Sequence, residues 1–344
     1  MLSKKKVAIA MSGGIDSSTS AVLLKKAGFD VFGIYAIFQK NYDKAAKQTA
    51  QKTAKILHIP FYAIDLQEEF EKEVIDYFLK SHTSGLTPNP CIICNEKIKF
   101  GMLLKTAQEF GAQMLATGHY AKAQGKKDGF HLYKGADSTK DQSYFLWRLK
   151  QDQLKHVMFP LAFFKKDGVR KIAGKLKLPA VKSKESQDVC FCPDTNKFLV
   201  KLLKPKSGRM LDPQGKILGR HNGLVLYTIG QRQGIKLSGG PYYVLSKNTK
   251  TNTLIVTKNQ NDLYSKGLIA KNINWINKPP KFPRKAQAQI RYRNKPSKAI
   301  IKKSGNKLKV VFTKPQKAIT PGQSVVFYKN NEVLGGGIIE KTWN

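Results

Sequence analysis

Cysteine is scarce, with four residues in a chain of 344. That excludes a disulfide-built scaffold, because such chains are short and dense in cysteine. Acidic side chains are scarce as well, 23 against 61 lysines and arginines, for a formal net charge of +38. No stretch approaches the ~18 consecutive apolar residues of a membrane-crossing helix. The apolar run inside MLSKKKVAIAMSGG is too short for a signal-peptide core, and no Arg/Ser-rich transit-like segment precedes it. These absences predict a soluble, cytoplasmic protein with no membrane association. What is present is ordinary globular material, 41% hydrophobic and long enough for two or three domains.

The surplus of positive charge calls for a polyanionic partner, and nucleic acid is the first candidate. Part of the surplus has a duller origin, because the lysines are spread along the whole chain, as KKK, KKAG, KLKLPAVKSK and KNTKTNTL illustrate. Such scatter is what an AT-biased genome produces. Charge alone does not say which nucleic acid.

Residues 5–118 alternate strand and helix signals. KVAIAM (6–11), DVFGIYAI (30–37), FYAIDL (61–66) and QMLATGH (113–119) read as strands; 17–29, 43–58, 68–80 and 95–111 read as helices. This pattern predicts an α/β domain with a doubly wound parallel sheet, which binds ligands at the carboxyl ends of its strands. After about residue 204 the chain turns glycine-rich with short β runs, and NKPPKFP (277–283) reads as a linker. Five β runs follow: AQAQIRYR, KAIIKKS, KLKVVFT, SVVFYK and EVLGGGIIEK. The expected domains are 1–204 (catalytic α/β), 205–276 (small, mostly β, central) and 277–344 (antiparallel β-barrel).

Between the first strand and helix stands AMSGGIDSS (10–18). A glycine-rich turn there lets backbone N–H groups and a helix N-terminus surround an anion. The loop is neither a Walker A motif, lacking Gly-Lys-Ser/Thr, nor G-x-G-x-x-G. Its form resembles the PP-loop of ATP pyrophosphatases, which cut ATP to AMP and pyrophosphate. That resemblance implies ATP contacts from Ala10, Met11, Ser12, Gly13, Gly14, Ile15, Asp16 and Ser17, with Asp16 holding Mg²⁺ or orienting ATP.

TPNPCIICNEKIKFG, ATGHYAK, KDQSYFLW, SQDVCF, YTIGQRQGI and TPGQSVVFY…LGGGIIE occur in the order found in the MnmA-type tRNA 2-thiouridylases. The chain is similar to that family from residue 6 to residue 340. The resemblance implies an ATP-dependent sulfur transfer to C2 of the wobble uridine, U34, of tRNAs for Lys, Glu and Gln. It puts the persulfide on Cys190 and the partner nucleophile on Cys94. The sulfur would come from a cysteine desulfurase, a relay protein or free sulfide. The chemistry agrees: exchanging a carbonyl oxygen for sulfur needs the oxygen adenylated and a sulfur nucleophile that ionises readily. A disulfide left after turnover must then be reduced.

Cys91 stays open between three readings. It is a spare thiol beside a persulfide relay; or it joins Cys94 and Cys190 as ligands of a [4Fe-4S] cluster; or all four cysteines, Cys192 included, bind zinc, for which the C-x-C half is awkward. Cys192 lies outside the family motif. The resemblance further implies ATP contacts at Ala36 and Gly118. It implies tRNA contacts at Asn89, Pro90, Cys91, His119, Lys140, Asp141, Gln142, Arg291, Tyr292 and Gln323. Arg291-Tyr292 pairs a cation with a ring, suited to a phosphate and a stacked base. One departure concerns adenine: Ala36 stands where the family usually carries Met. Two rival readings are a PP-loop synthetase for a small substrate, and a non-enzymatic RNA binder. The first leaves the cysteines unexplained, the second leaves the loop idle.

Overall fold

A computed structural model describes residues 4–40, 43–183 and 189–343. Strand β1 (Lys6–Ala10) buries Val7, Ala8 and Ile9 completely, as a strand covered on both faces must. β2 (Asp30–Ile37) and β3 (Phe61–Asp65) extend the sheet on one side and β4 (Met114–Ala116) on the other. A hairpin of β5 (Ala121–Lys126) and β6 (Gly129–Lys134) intervenes before β7 (Val157–Met158) closes the row. The order is β3-β2-β1-β4-β7, parallel throughout. Helices α1 (Ile15–Lys26) and α2 (Lys44–Ile56) make the first crossovers. Strand order reverses between β2 and β4 around β1, so the carboxyl end of β1 is the switch point where such sheets bind ligands.

Two further helices cover 67–83 and 90–109, and each contains wide π-type turns, at Glu71–Ile75 and Cys94–Leu103. The second begins at Pro90, ahead of the expected residue 95, because proline is suited to the first helical position. Gln153 braces its widened part by donating from Nε2 to the carbonyls of Glu96 (2.9 Å) and Phe100 (2.8 Å).

The central domain is a sheet of β8 (Gly208–Leu211), β9 (Ile217–His221), β10 (Tyr243–Asn248) and β11 (Thr253–Thr257), ordered β10-β11-β8-β9. Met210, Val244, Leu254 and Val256 form its core. Then come β12 (Tyr264–Trp275), β13 (Arg284–Gln289), β14 (Ser297–Ser304), β15 (Lys307–Lys317), β16 (Ser324–Lys329) and β17 (Glu332–Trp343). They form an antiparallel sheet that closes on itself through β12 and β17, which removes its edges. Leu268, Ile301, Val310, Val325, Phe327 and Ile339 fill the barrel. By hydrogen bonding the barrel starts at Tyr264, ahead of the proline-rich segment from 277 where the sequence suggests the linker.

The α/β domain is stitched to this barrel. β6 pairs with β17 through Tyr133–Glu332 and Leu132–Val333, and His131 sits between Glu332 (2.6 Å) and Asp128 (2.9 Å). The hairpin turns at Lys127-Asp128, and Gly129, already paired with Lys126, has a φ of +124°; the Asp-Gly dipeptide is a standard hairpin signal that the sequence reading missed. Buried Tyr144 and Trp147 donate to the backbone oxygen (2.9 Å) and Oγ (3.0 Å) of Ser324. A Cβ at Gly336 would fall 2.8 Å from Cδ2 of Trp147. The YFLW and LGGG motifs therefore meet as the joint between domains. No helix among the described residues is long and apolar enough to cross a membrane.

Candidate active site

The loop after β1 turns at Gly13, whose φ is +79° and whose Cβ, if it had one, would lie 2.2 Å from the Ala46 carbonyl oxygen. Glycine is required there on both counts. Ser17 Oγ accepts from the Ser12 backbone N–H (3.1 Å) and donates to the Gly14 carbonyl (3.0 Å), which holds the turn shut. No side chain caps the N-terminus of α1, so its first amides are available to an anion. Ser18 Oγ and Thr19 Oγ1 in the same turn are buried without a hydrogen-bond partner. Gly118, just past β4, comes so close that a Cβ would lie 2.8 Å from the Ser17 nitrogen. Met11 is buried, and its sulfur lies over Gly33, so what it offers a ligand is backbone. Ala36, on β2, packs against the main core.

Asp16, in the first turn of α1, is tied from two sides. Lys166 Nζ lies 2.7 Å from both carboxylate oxygens, and the Tyr120 hydroxyl donates to Oδ1 at 2.7 Å. Neither partner was visible in the sequence: Lys166 is one lysine among many, the first residue of the helix that follows β7.

The thiols gather elsewhere, on the helix over 90–109 and the segment before Thr195. All four are free. Cys94 is buried, and burial pushes its thiol up to about 12. Lys99 pulls the other way, while Cys190 and Cys91 add to the rise. Cys190 is an exposed residue, yet enough protein surrounds its sulfur that desolvation raises that thiol too, again opposed by Lys99. Five residues make about one turn of a π-type helix, so the widened turn at Cys94–Leu103 brings Lys99 to the side of Cys94. The sequence reading missed Lys99, whose signal is this backbone irregularity. Cys192 is buried in the core, with Sγ 3.7 Å from Thr195 Oγ1. Ser186, Gln187 and Asp188 of the SQDVCF motif lie outside the described residues. Among the described residues no three His, Cys, Asp or Glu side chains are arranged to hold a metal ion. The thiols as placed do not fit the cluster or the zinc site.

His119 is buried in the wall of this region, its Nδ1 2.8 Å from Thr117 Oγ1 and its ring beside Phe100 and Phe159. Burial, and then the charge of Lys99, hold it well below the ordinary histidine pKa, so it is neutral.

The loop that leads through Thr87, Pro88 and Asn89 into the helix carrying Pro90 and Cys91 is where three domains touch. Gln323 of the barrel donates from Nε2 to the carbonyls of Thr87 (2.9 Å) and Pro88 (3.4 Å). Thr87 N–H donates to the Pro321 carbonyl, and its hydroxyl lies 3.4 Å from that of Thr228 in the central domain. Beside this joint is a cavity of about 450 Å³, lined among others by His82, Pro88, Pro90, Val189, Thr228 and Gln231. It borders the residues next to Cys91 and Cys190.

Two of the residues in the KDQ motif have internal work. Asp141 Oδ1 accepts from the N–H groups of Gly135 (3.1 Å) and Ser143 (3.2 Å), and Oδ2 from the Ser143 hydroxyl (2.9 Å). Gln142 is paired to Tyr120 in both directions, through its side-chain oxygen and its backbone N–H. Lys140 is half-buried beside them. Arg291 donates to Thr320 Oγ1 (3.0 Å), and Tyr292 packs on Phe145 with ring centroids 4.4 Å apart. Thus Arg291, Tyr292 and Gln323 gather near the joint, and Asp16 and Gly118 at the loop.

A glycine-rich turn at the switch point of a parallel sheet, backed by two β domains, places the chain in the PP-loop class of folds. Three families match along the chain: "tRNA methyl transferase HUP domain" at 5–194, "tRNA methyl transferase PRC-barrel domain" at 196–258 and "Aminomethyltransferase beta-barrel domain" at 265–339. The chain is 46% identical over 357 residues to "tRNA-specific 2-thiouridylase MnmA 2" of Thermoanaerobacter sp. (strain X514), covering 98% of each. It is 43% identical to "tRNA-specific 2-thiouridylase MnmA" of Carboxydothermus hydrogenoformans, covering 99% of each. Among solved structures, a 4-thiouridine synthetase–RNA complex with bound ATP aligns over 58% of this chain and 50% of that one, at 19% identity and TM-score 0.37. The chain belongs to the MnmA family of tRNA-specific 2-thiouridylases.

Proposed function

We propose that the chain is an ATP-dependent tRNA 2-thiouridylase that acts in the cytoplasm on the wobble uridine, U34, of tRNAs for Lys, Glu and Gln. The observation that carries this reading is the convergence of Cys94 and Cys190, far apart in sequence, on one cation, Lys99.

MgATP enters as substrate at the loop 10–18. Uridine O2 attacks the α-phosphorus, and pyrophosphate leaves with the electron pair of the broken P–O bond. The terminal sulfur of a Cys190 persulfide then attacks C2, and AMP departs with the old oxygen. This leaves Cys190 joined through two sulfurs to the base. Cys94 attacks the Cys190 sulfur; the electron pair of the broken S–S bond, and the Cys94 proton, go to 2-thiouridine. The remaining Cys94–Cys190 disulfide is reduced by an external dithiol, and a cysteine desulfurase or sulfur-relay protein reloads Cys190. A thiol pushed up to about 12 is protonated at neutral pH, which suits a residue that must wait until the adduct exists. Lys99 supports the anionic forms of both sulfurs. On this reading Asn89, Pro90, Cys91, His119 and Lys140 border the path of the anticodon, while Arg291, Tyr292 and Gln323 present the barrel to it.

The test is thiolation of unmodified tRNA with MgATP and a persulfide donor, read as 2-thiouridine by mass spectrometry. Cys94→Ala and Cys190→Ala are each expected to lower product by at least about 10³-fold, while Cys91→Ala retains it. Product loss in all three would return Cys91 to the chemistry. Pyrophosphate release without tRNA, driven by a small molecule, would favour the synthetase reading.

A further inference from the structure

The loop that holds the phosphates has a gap in its chemistry. Between Ala10 and Ser18 there is no basic residue, whereas the Walker A loop carries its own lysine to the outer phosphates. Backbone amides and a helix N-terminus can bind a polyphosphate. A departing pyrophosphate, however, gathers negative charge as it leaves and is best met by a fixed cation.

Lys166 has the position and burial for that work. It opens the helix Lys166–Lys175, which packs against α1, and its backbone N–H donates to Asp137 Oδ2 at 2.9 Å. Its side chain is 8% exposed, against 33% for the Asp16 carboxylate it grips. A buried ammonium is costly unless it has a strong purpose or partner. Nζ lies in the first turn of α1, above the Tyr120 ring at 5.8 Å, while Tyr120 holds the same carboxylate. Asp16 therefore has a second donor that stays with it if the ammonium turns away.

We propose that Lys166 binds the β- and γ-phosphates of ATP, exchanging part of its grip on Asp16 for the pyrophosphate that leaves. The inference rests on the ATP-dependent reading above. In the adenylation step the bond from uridine O2 to the α-phosphorus forms and the α–β phosphoanhydride bond breaks. The electron pair goes to pyrophosphate, whose charge Lys166 balances. AMP, which lacks those phosphates, makes no such contact.

Titration calorimetry of the full chain with ATP, AMP and inorganic pyrophosphate tests this. Lys166→Ala is expected to weaken ATP and pyrophosphate by about tenfold or more, and AMP by less than about twofold. Retained AMP binding certifies that the loop is folded. An alanine variant that binds ATP and pyrophosphate as the wild type does would make Lys166 a structural counter-ion of Asp16. Equal loss of AMP would overturn the proposal too. A second measurement uses the wild type: the side-chain ¹⁵N resonance of Lys166, assigned by its absence in Lys166→Arg, should shift with pyrophosphate and not with AMP. No shift sinks the proposal. A wild type that binds none of the three ligands would instead remove the ATP-dependent reading, a distinct result.

Discussion

The nucleotide loop and the thiol site are built on opposite plans. The loop is nine consecutive residues, 10–18, held by their own hydrogen bonds at one strand end. The thiol site draws on the helix over 90–109, the segment around Cys190, the central domain at Thr228 and the barrel at Gln323. A local site is as stable as its turn; a composite one is as stable as the docking of three domains. Substitutions should therefore damage the two halves of the reaction separately.

The largest separation is expected from the loop. Gly13→Ala drives a methyl into the Ala46 carbonyl from a left-handed backbone, and should weaken ATP by about 100-fold or more. Calorimetry checks this, and alkylation of Cys190 should proceed unchanged. Gln323→Ala removes two bonds from the barrel to the loop at Thr87 and Pro88. It should slow thiolation about thirtyfold, consistent with ~1 kcal/mol for each lost bond, and leave ATP affinity as it was. If ATP binding falls as well, the two sites are not independent. The smallest effect concerns acid. Burial, then the charge of Lys247, lower the pKa of His82 to about 4, although the Val225 backbone it bonds to acts the other way. The unfolded chain thus takes up this proton first, near pH 6.5, and the native state is destabilised as pH falls from there toward 4. About 1–3 kcal/mol is at stake. Thermal melts at pH 7 and 4.5 should show a smaller acid penalty in His82→Phe than in the wild type.

The same contrast decides what could be read beforehand. The strands at 30–37 and 324–329 coincide with the expected ones, because buried β-branched runs bounded by turns are local signals. The loop at 10–18 was legible for the same reason. Cys94 and Cys190 stood out only through their family motifs, since nothing between them states that they meet. Asp141 and Gln142 came from resemblance alone, and their side chains hold Ser143 and Tyr120. Lys99 and Lys166 were illegible: a lysine-rich chain hides a buried lysine, and the π-type turn that aims Lys99 has no sequence signature. The hairpin at 121–134 was legible in principle from Asp128-Gly129, but its destination was not. Its pairing partner lies about two hundred residues further on.

That pairing bears on how the protein is made. During synthesis the residues of β1, α1 and the loop between them are made well before β17 and need nothing that follows β7 to form their sheet. The hairpin does need a later element: Leu132 finds its neighbour Val333 only when β17 has been translated. A nascent or truncated chain can thus own a finished nucleotide cradle while its hairpin hangs without a sheet. Arrival of β17 is thus the event that locks hairpin, barrel and α/β domain together.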